Sequence, residues 1–199
     1  MKPKGMCLKQ IYNWCNWPPN ATIVDLGAWI GITTTWFASR TQGWVFAIEP
    51  VEKSIKTAIK NCQFYKCENV VFFHGAISDK IGESEMHIYQ NHSEGNSLFL
   101  KPRHILERKE KTYTVTWDRF VDNLKIKHVD FCKCNIEGAE TLFLKGMTKV
   151  FPDKMIIEEH TYQGIADLSE LHRLIEEKGY KIVKEEKHDL WCEKKRIHK

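Results

Sequence analysis

Short apolar runs alternate with helix-like stretches along this chain. Thr22–Leu26, Trp44–Ile48, Val70–His74, Val129–Ile136 and Lys154–Glu158 are strand-length, and apolar without a clean in-out alternation. That is the pattern of strands buried on both faces, as in a parallel sheet. Between them, Glu52–Tyr65 carries Ile55, Ala58, Ile59 and Cys62 at helical spacing. Helices are also predicted at Ile32–Arg40, at Trp117–Leu124, and from about Glu140 to Leu144 with Gly146 as its cap. A further helix, Leu168–Lys178, closes at Gly179, and Tyr180–Lys184 with Asp189–Glu193 form a terminal pair of strands. Strand and helix alternate for most of the length. This predicts an α/β fold, a doubly wound, mostly parallel seven-stranded sheet with helices on both faces.

Two stretches depart from the rhythm. Residues 1–20 form a lead-in, with a helix at Leu8–Trp14 stopped by Pro18-Pro19 and with Trp14 and Trp17 packing on the main body. Residues 81–116 alternate at both ends (Glu85–Tyr89 and Lys111–Thr116) around a polar loop, which predicts a hairpin-like insertion. Just before it, Gly75–Asp79 reads as a turn. The run Arg103–Lys111 mixes both signs of charge and reads as a solvated face rather than a nucleic-acid patch. No linker or repeat interrupts the chain, so residues 1–199 are read as one domain.

Composition narrows the setting. At 42% hydrophobic and 28% charged, the chain is expected to be globular rather than disordered. A net charge of +4 neither demands nor excludes an anionic partner. No apolar run approaches a membrane span, and the N-terminal residues lack the apolar core of a signal peptide. The seven cysteines include no C-x-x-C pair and are expected to be reduced, in a cytoplasmic protein. No metal site is read from them.

The candidate chemistry sits at strand ends. Ala21–Phe37 (ATIVDLGAWIGITTTWF) is a strand ending in Asp25, a loop with Gly27 and Gly31, and a helix start. Glycine lets backbone turn tightly and lets a ligand approach. The loop is not the G-x-G-x-x-G of dinucleotide folds, because Trp29 and Ile32 stand at its later positions. The next strand ends in Glu49-Pro50. An acid there suits two ribose hydroxyls, since ligands of open α/β sheets lie beyond the carboxyl ends of the strands. Asn135 with Glu137, and Glu158 with His160, end two later strands. Four polar strand ends on one rim make a binding site.

On these residues the chain resembles the FkbM family of S-adenosylmethionine-dependent methyltransferases. VDLGAWIG, AIEP, GAISDKIGE, the pair Val115-Thr116 with Asp118-Arg119-Phe120, KCNIEGAE and MIIEEH resemble that family's successive motifs, in order, over roughly residues 20–162. The resemblance implies a Rossmann-like fold and S-adenosylmethionine as cofactor. It places Asp25, Gly27, Ala28, Trp29, Gly31 and Thr33 around the amino-acid end of the cofactor. Glu49 and Pro50 would stand at the ribose, Ala76, Ile77 and Ser78 at the adenine, and Asn135 beside the sulfonium. The chain departs from the family at Trp29, usually a small polar residue, at Asn135, usually Asp, and at Trp117, usually aliphatic.

The reaction read from this is methyl transfer to oxygen of a small or sugar-like molecule. His160 is the candidate base because imidazole titrates near neutral pH. It competes with a plain strand-end histidine. Glu137 either orients His160, acts alone, or caps the helix that follows. Methylation of RNA or a nucleoside is the alternative, disfavoured by the mixed charges. A cofactor-binding module without catalysis is the other, motivated by Asn135 and Trp29. The acceptor's identity and the oligomeric state are not legible.

Overall fold

The computed structural model describes residue 12 and residues 15–102, 104–160 and 168–195. The predicted helix Leu8–Trp14 lies outside the described residues apart from Tyr12. The main sheet has seven strands: β1 (Ile23–Leu26), β2 (Val45–Glu49), β3 (Val70–His74), β7 (Phe131–Cys134), β8 (Lys154–Glu158), β9 (Tyr180–Glu186) and β10 (Asp189–Lys194). Their order is β3-β2-β1-β7-β8-β10-β9. The first five run parallel, and β10 is antiparallel to both β8 and β9. The sequence reading of a mostly parallel sheet closed by a terminal pair therefore holds.

Burial follows position in the sheet. Every residue of β1, β2 and β7 is buried, whereas edge strands β3 and β9 are mostly half-buried or exposed. Alternate side chains of the central strands feed two cores. Val24, Leu26, Cys132 and Cys134 face α3 (Trp117–Asn123), α4 (Glu140–Lys145) and α5 (Leu168–Glu177). Ile23, Val45 and Phe131 face α1 (Ile32–Ala38) together with Tyr12 and an aromatic group. There Trp17 stacks on Phe131 with ring centres 5.4 Å apart, so part of the lead-in does pack on the main body. Helix α2 (Glu52–Phe64) turns Ile55, Ala58 and Cys62 inward. Trp117 is fully buried, and its indole donates to the carbonyls of Lys149 and Val150. All six described cysteines are free.

A smaller sheet has the order β4-β6-β5, made of β4 (Ala76–Ser78), β5 (Gly82–Tyr89) and β6 (Leu106–Thr116). The predicted hairpin is β5 with β6, paired antiparallel from Gly82↔Thr114 onward. The predicted turn Gly75–Asp79 is corrected to a strand, because Ala76–Ser78 pairs parallel with Thr114–Thr116. Three residues between glycine and aspartate carry too little pattern to signal a strand. Only the distant partner satisfies their backbone. Among the described residues no helix is long and apolar enough to cross a membrane.

Candidate active site

Strands β1, β2, β7 and β8 end on one rim, and a cavity of about 340 Å³ opens there. Its floor is the loop after β1 (Gly27, Ala28, Trp29) and the segment after β7 (Asn135, Ile136, Glu137). Ile32 and Thr33 of α1, Glu49-Pro50, Ala76-Ile77 and Glu158 add walls. The hairpin supplies a roof: Met86 on β5, then Ser93, Glu94, Asn96 and Leu98 around a 3₁₀ turn at Ser93–Gly95.

The two strand-end acids that look alike in sequence part company. Asp25 is fully buried beneath the floor. Its Cα partner in β7 is Lys133, whose Nζ stands 3.0 Å from Oδ1, and Thr34 donates to Oδ2 at 2.7 Å. Lys133 also donates to the carbonyls of Leu26 and Gly27, at 3.2 and 2.7 Å, and lines the cavity itself. This buried ion pair holds the turn after β1 rather than a ligand. Glu49 is different. Its Oε2 accepts from the Trp29 N–H at 2.8 Å and Oε1 from the Val51 N–H at 3.0 Å, in the cavity wall. Burial pushes its carboxyl up to about 7, partly opposed by those two N–H donors and by Lys133.

The glycines are explained mainly by packing. A Cβ on Gly27 (φ +76°) would lie 1.8 Å from the Asn135 carbonyl oxygen, where the ends of β1 and β7 converge. On Gly31 (φ +80°) it would meet Ala58 of α2 at 2.9 Å. Gly27 lines the cavity, but Gly31, Asp25 and Ser78 do not. Ser78 is buried with its hydroxyl donated to Asp79. These three stand behind the cavity lining rather than in it. Ala28, Trp29, Thr33, Glu49, Pro50, Ala76, Ile77 and Asn135 do line the cavity. Trp29, at φ 48°, sends its indole N–H to the Ser93 hydroxyl in the roof, at 3.2 Å.

At the other end, charges are paired. Glu137 (φ 57°) offers Oε1 to His160 Nε2 at 3.1 Å and Oε2 to Lys101 Nζ. His160 Nδ1 lies 2.9 Å from Glu140 Oε1. Burial disfavours the imidazolium, but the hydrogen bonds and charges of Glu137 and Glu140 outweigh it and raise His160 to about 10. Glu137 is likewise resisted by burial, yet His160 and Lys101 bring it down to about 2. With a carboxylate at each ring nitrogen, His160 is turned to Glu137 and Glu140. It does not line the cavity. Its partner Glu140 also accepts from the N–H groups of Ile136 and Gly138, so the acid that caps the turn is Glu140.

The sequence reading gave Lys133, Lys101 and the roof residues no part in the site. Lys133 left a trace, a lysine inside the otherwise apolar Phe131–Cys134. Lys101, 1% exposed, left none, since a single lysine before Pro102 reads as a surface residue. Among described residues, His128, Asp130 and Asp153 bring metal-ligating atoms within 4.8 Å of one another, but they precede β7 and β8, at the end of the sheet away from the cavity.

The sequence of residues 25–182 matches the family model of the methyltransferase FkbM domain. No curated protein matches the chain. Among solved structures, the chain is similar to a ribosomal protein L11 methylase from Lactobacillus delbrueckii subsp. bulgaricus (TM-score 0.59, 11% identity, 95% of this chain and 78% of that one). It is also similar to a putative rRNA-methylase from Clostridium thermocellum (0.58, 14%, 96% and 97%). A SAM-dependent methyltransferase from Aquifex aeolicus gives 0.54 at 12% identity, over 96% and 93%. At these identities the structures establish a shared Rossmann-like methyltransferase fold. The sequence match over residues 25–182 goes further: the chain belongs to the FkbM methyltransferase family.

Proposed function

We propose that the protein transfers a methyl group from S-adenosylmethionine to an oxygen of a small, sugar-like acceptor. The observation that carries this reading is Glu49. Two backbone N–H groups hold its carboxylate in the wall of a cavity whose floor is a tight glycine turn. A carboxylate fixed in that way has lone pairs left for two donors, as a ribose diol presents. The volume, about 340 Å³, lies in the range of small-molecule sites, about 300–1,000 Å³.

The described residues fit the cofactor. Backbone at Gly27 and Ala28, with Ile32 and Thr33, suits the amino-acid end. Glu49 and Pro50 suit the ribose. Ala76 and Ile77, with Met86 and Leu98 in the roof, form an apolar wall suited to adenine. Asn135, Glu137 and Glu158 face the acceptor end. Lys133 keeps the carbonyls of Leu26 and Gly27 in place beneath. When bound, S-adenosylmethionine supplies a methyl group activated on a cationic sulfur. The chain's part is to align the acceptor oxygen with that methyl, at about 3–3.5 Å, and to exclude water.

Calorimetry with S-adenosylhomocysteine tests the reading. Binding in the micromolar range is expected, about 8 kcal/mol. Glu49→Ala should weaken it at least roughly tenfold, because charge-assisted hydrogen bonds contribute about 1.5–3 kcal/mol each. The absence of both binding heat and a thermal shift at millimolar ligand would refute it.

A further inference from the structure

A hydroxyl acceptor must lose its proton, and three titratable side chains meet where β7 and β8 end. Glu137 has each oxygen turned to a cation, Lys101 and His160. His160 has each ring nitrogen turned to a carboxylate, Glu140 and Glu137. Glu158 stands apart from this pairing. It lines the cavity and its side chain is 38% exposed. The Asn135 side-chain N–H donates to its Oε2. Its Oε1 lies 3.7 Å from His160 Nε2, too far for a hydrogen bond.

We propose that Glu158 is the proton acceptor of the reaction, with Asn135 as its positioning residue. The proposal rests on the methyl-transfer reading above. An aspartate at position 135 would oppose Glu158 with a second negative charge, whereas the Asn135 amide donates to Oε2 and leaves Oε1 without a hydrogen-bond donor among the described residues. In the step, a lone pair of the acceptor oxygen forms the bond to the methyl carbon. The carbon–sulfur pair returns to sulfur, which becomes a neutral thioether. The hydroxyl proton passes to Glu158 Oε1 and leaves through its exposed edge.

The first test needs no acceptor. S-adenosylmethionine carries a positive charge that S-adenosylhomocysteine lacks, so a carboxylate at the reacting centre distinguishes them. By calorimetry, Glu158→Gln should weaken S-adenosylmethionine at least about threefold, as loss of one nearby charge implies, and leave S-adenosylhomocysteine unchanged. Equal change for both, or none, overturns the placement of Glu158. The second test follows label from [methyl-³H]S-adenosylmethionine into glucose, rhamnose, myo-inositol and catechol. On the best of these, Glu158→Gln should lose roughly 10²–10⁴-fold in turnover, with Glu158→Asp recovering part of it. Turnover within about threefold of the parent protein overturns the base assignment. Asn135→Asp should move the acid limb of the pH–rate profile upward, since a second carboxylate raises proton affinity, and an unmoved limb removes Asn135 as positioning residue. Bound cofactor with no label in any of the four overturns the hydroxyl class. If neither cofactor form binds, it is the methyl-transfer reading itself that fails.

Discussion

The two ends of the cavity handle buried charge in opposite ways. At the end of β2, Glu49 is a buried carboxylate that among the described residues meets no cation in hydrogen-bond contact, only backbone N–H groups, and its carboxyl is pushed up to about 7. At the ends of β7 and β8, half-buried Glu137 and buried His160 lie beside opposite charges and are driven outward, to about 2 and about 10. The first arrangement leaves a group that titrates at working pH and gains from a ligand's hydroxyl donors. The second freezes its charges, so those residues hold geometry. Lys101 and Ser97 tie the roof to Glu137, one through the carboxylate and one through the carbonyl, which makes this end a clasp between hairpin and main sheet.

The largest expected effect breaks the floor shared by both ends. Gly27→Val would drive a side chain into the Asn135 carbonyl and strain a left-handed residue. Destabilisation of about 4–5 kcal/mol or more, at the upper end for a single substitution, should appear in urea unfolding. A folded variant that merely loses ligand binding would mean the two strand ends can separate. Lys101→Met comes next. It removes one partner of a buried pair, which typically costs about 3–5 kcal/mol, here reduced to the extent that His160 still compensates Glu137. The loss should show first as faster amide exchange in residues 93–101. A variant as stable as the parent, with exchange unchanged, would show that the clasp is not held by charge.

Stability against pH separates the two ends. His160 has a folded value raised above the ordinary 6.5, so its contribution is complete below about 6.5 and is lost as pH climbs through about 10. The fall should be no steeper than about 1.4 kcal/mol per pH unit, one proton's worth, and His160→Gln should flatten it. Glu137, depressed, contributes above about 4.5 and loses that contribution as pH falls toward about 2. An unchanged curve in His160→Gln would contradict the paired description.

The smallest effect concerns Glu49 as an acceptor for ribose. The ligand favours the carboxylate, which the empty site forms only near pH 7. Affinity for S-adenosylhomocysteine should therefore rise about tenfold from pH 6 to pH 8, with proton release detectable in buffers of different ionisation enthalpy. Glu49→Gln should bind more weakly and lose the pH dependence. A pH dependence that survives in Glu49→Gln would place the titrating group elsewhere.

Much of the fold could be read from local pattern, because strand burial and helix periodicity are written into neighbouring residues. The seven strands, the terminal antiparallel pair and the hairpin came from runs a few residues long. So did Glu49-Pro50 and the turn after β1. What local pattern could not supply is who faces whom. Asp25 and Glu49 end successive strands in the same way, yet one is claimed by Lys133, more than a hundred residues away, and the other is left to the cavity. His160 invites the role of base until Glu137 and Glu140 close on its two nitrogens. Lys101 is indistinguishable from a surface lysine until the roof folds over it. Periodicity is a property of adjacent residues and survives in the sequence. Burial and charge pairing arise between residues distant in the chain, so the proton affinities of this site were decided only by the tertiary structure.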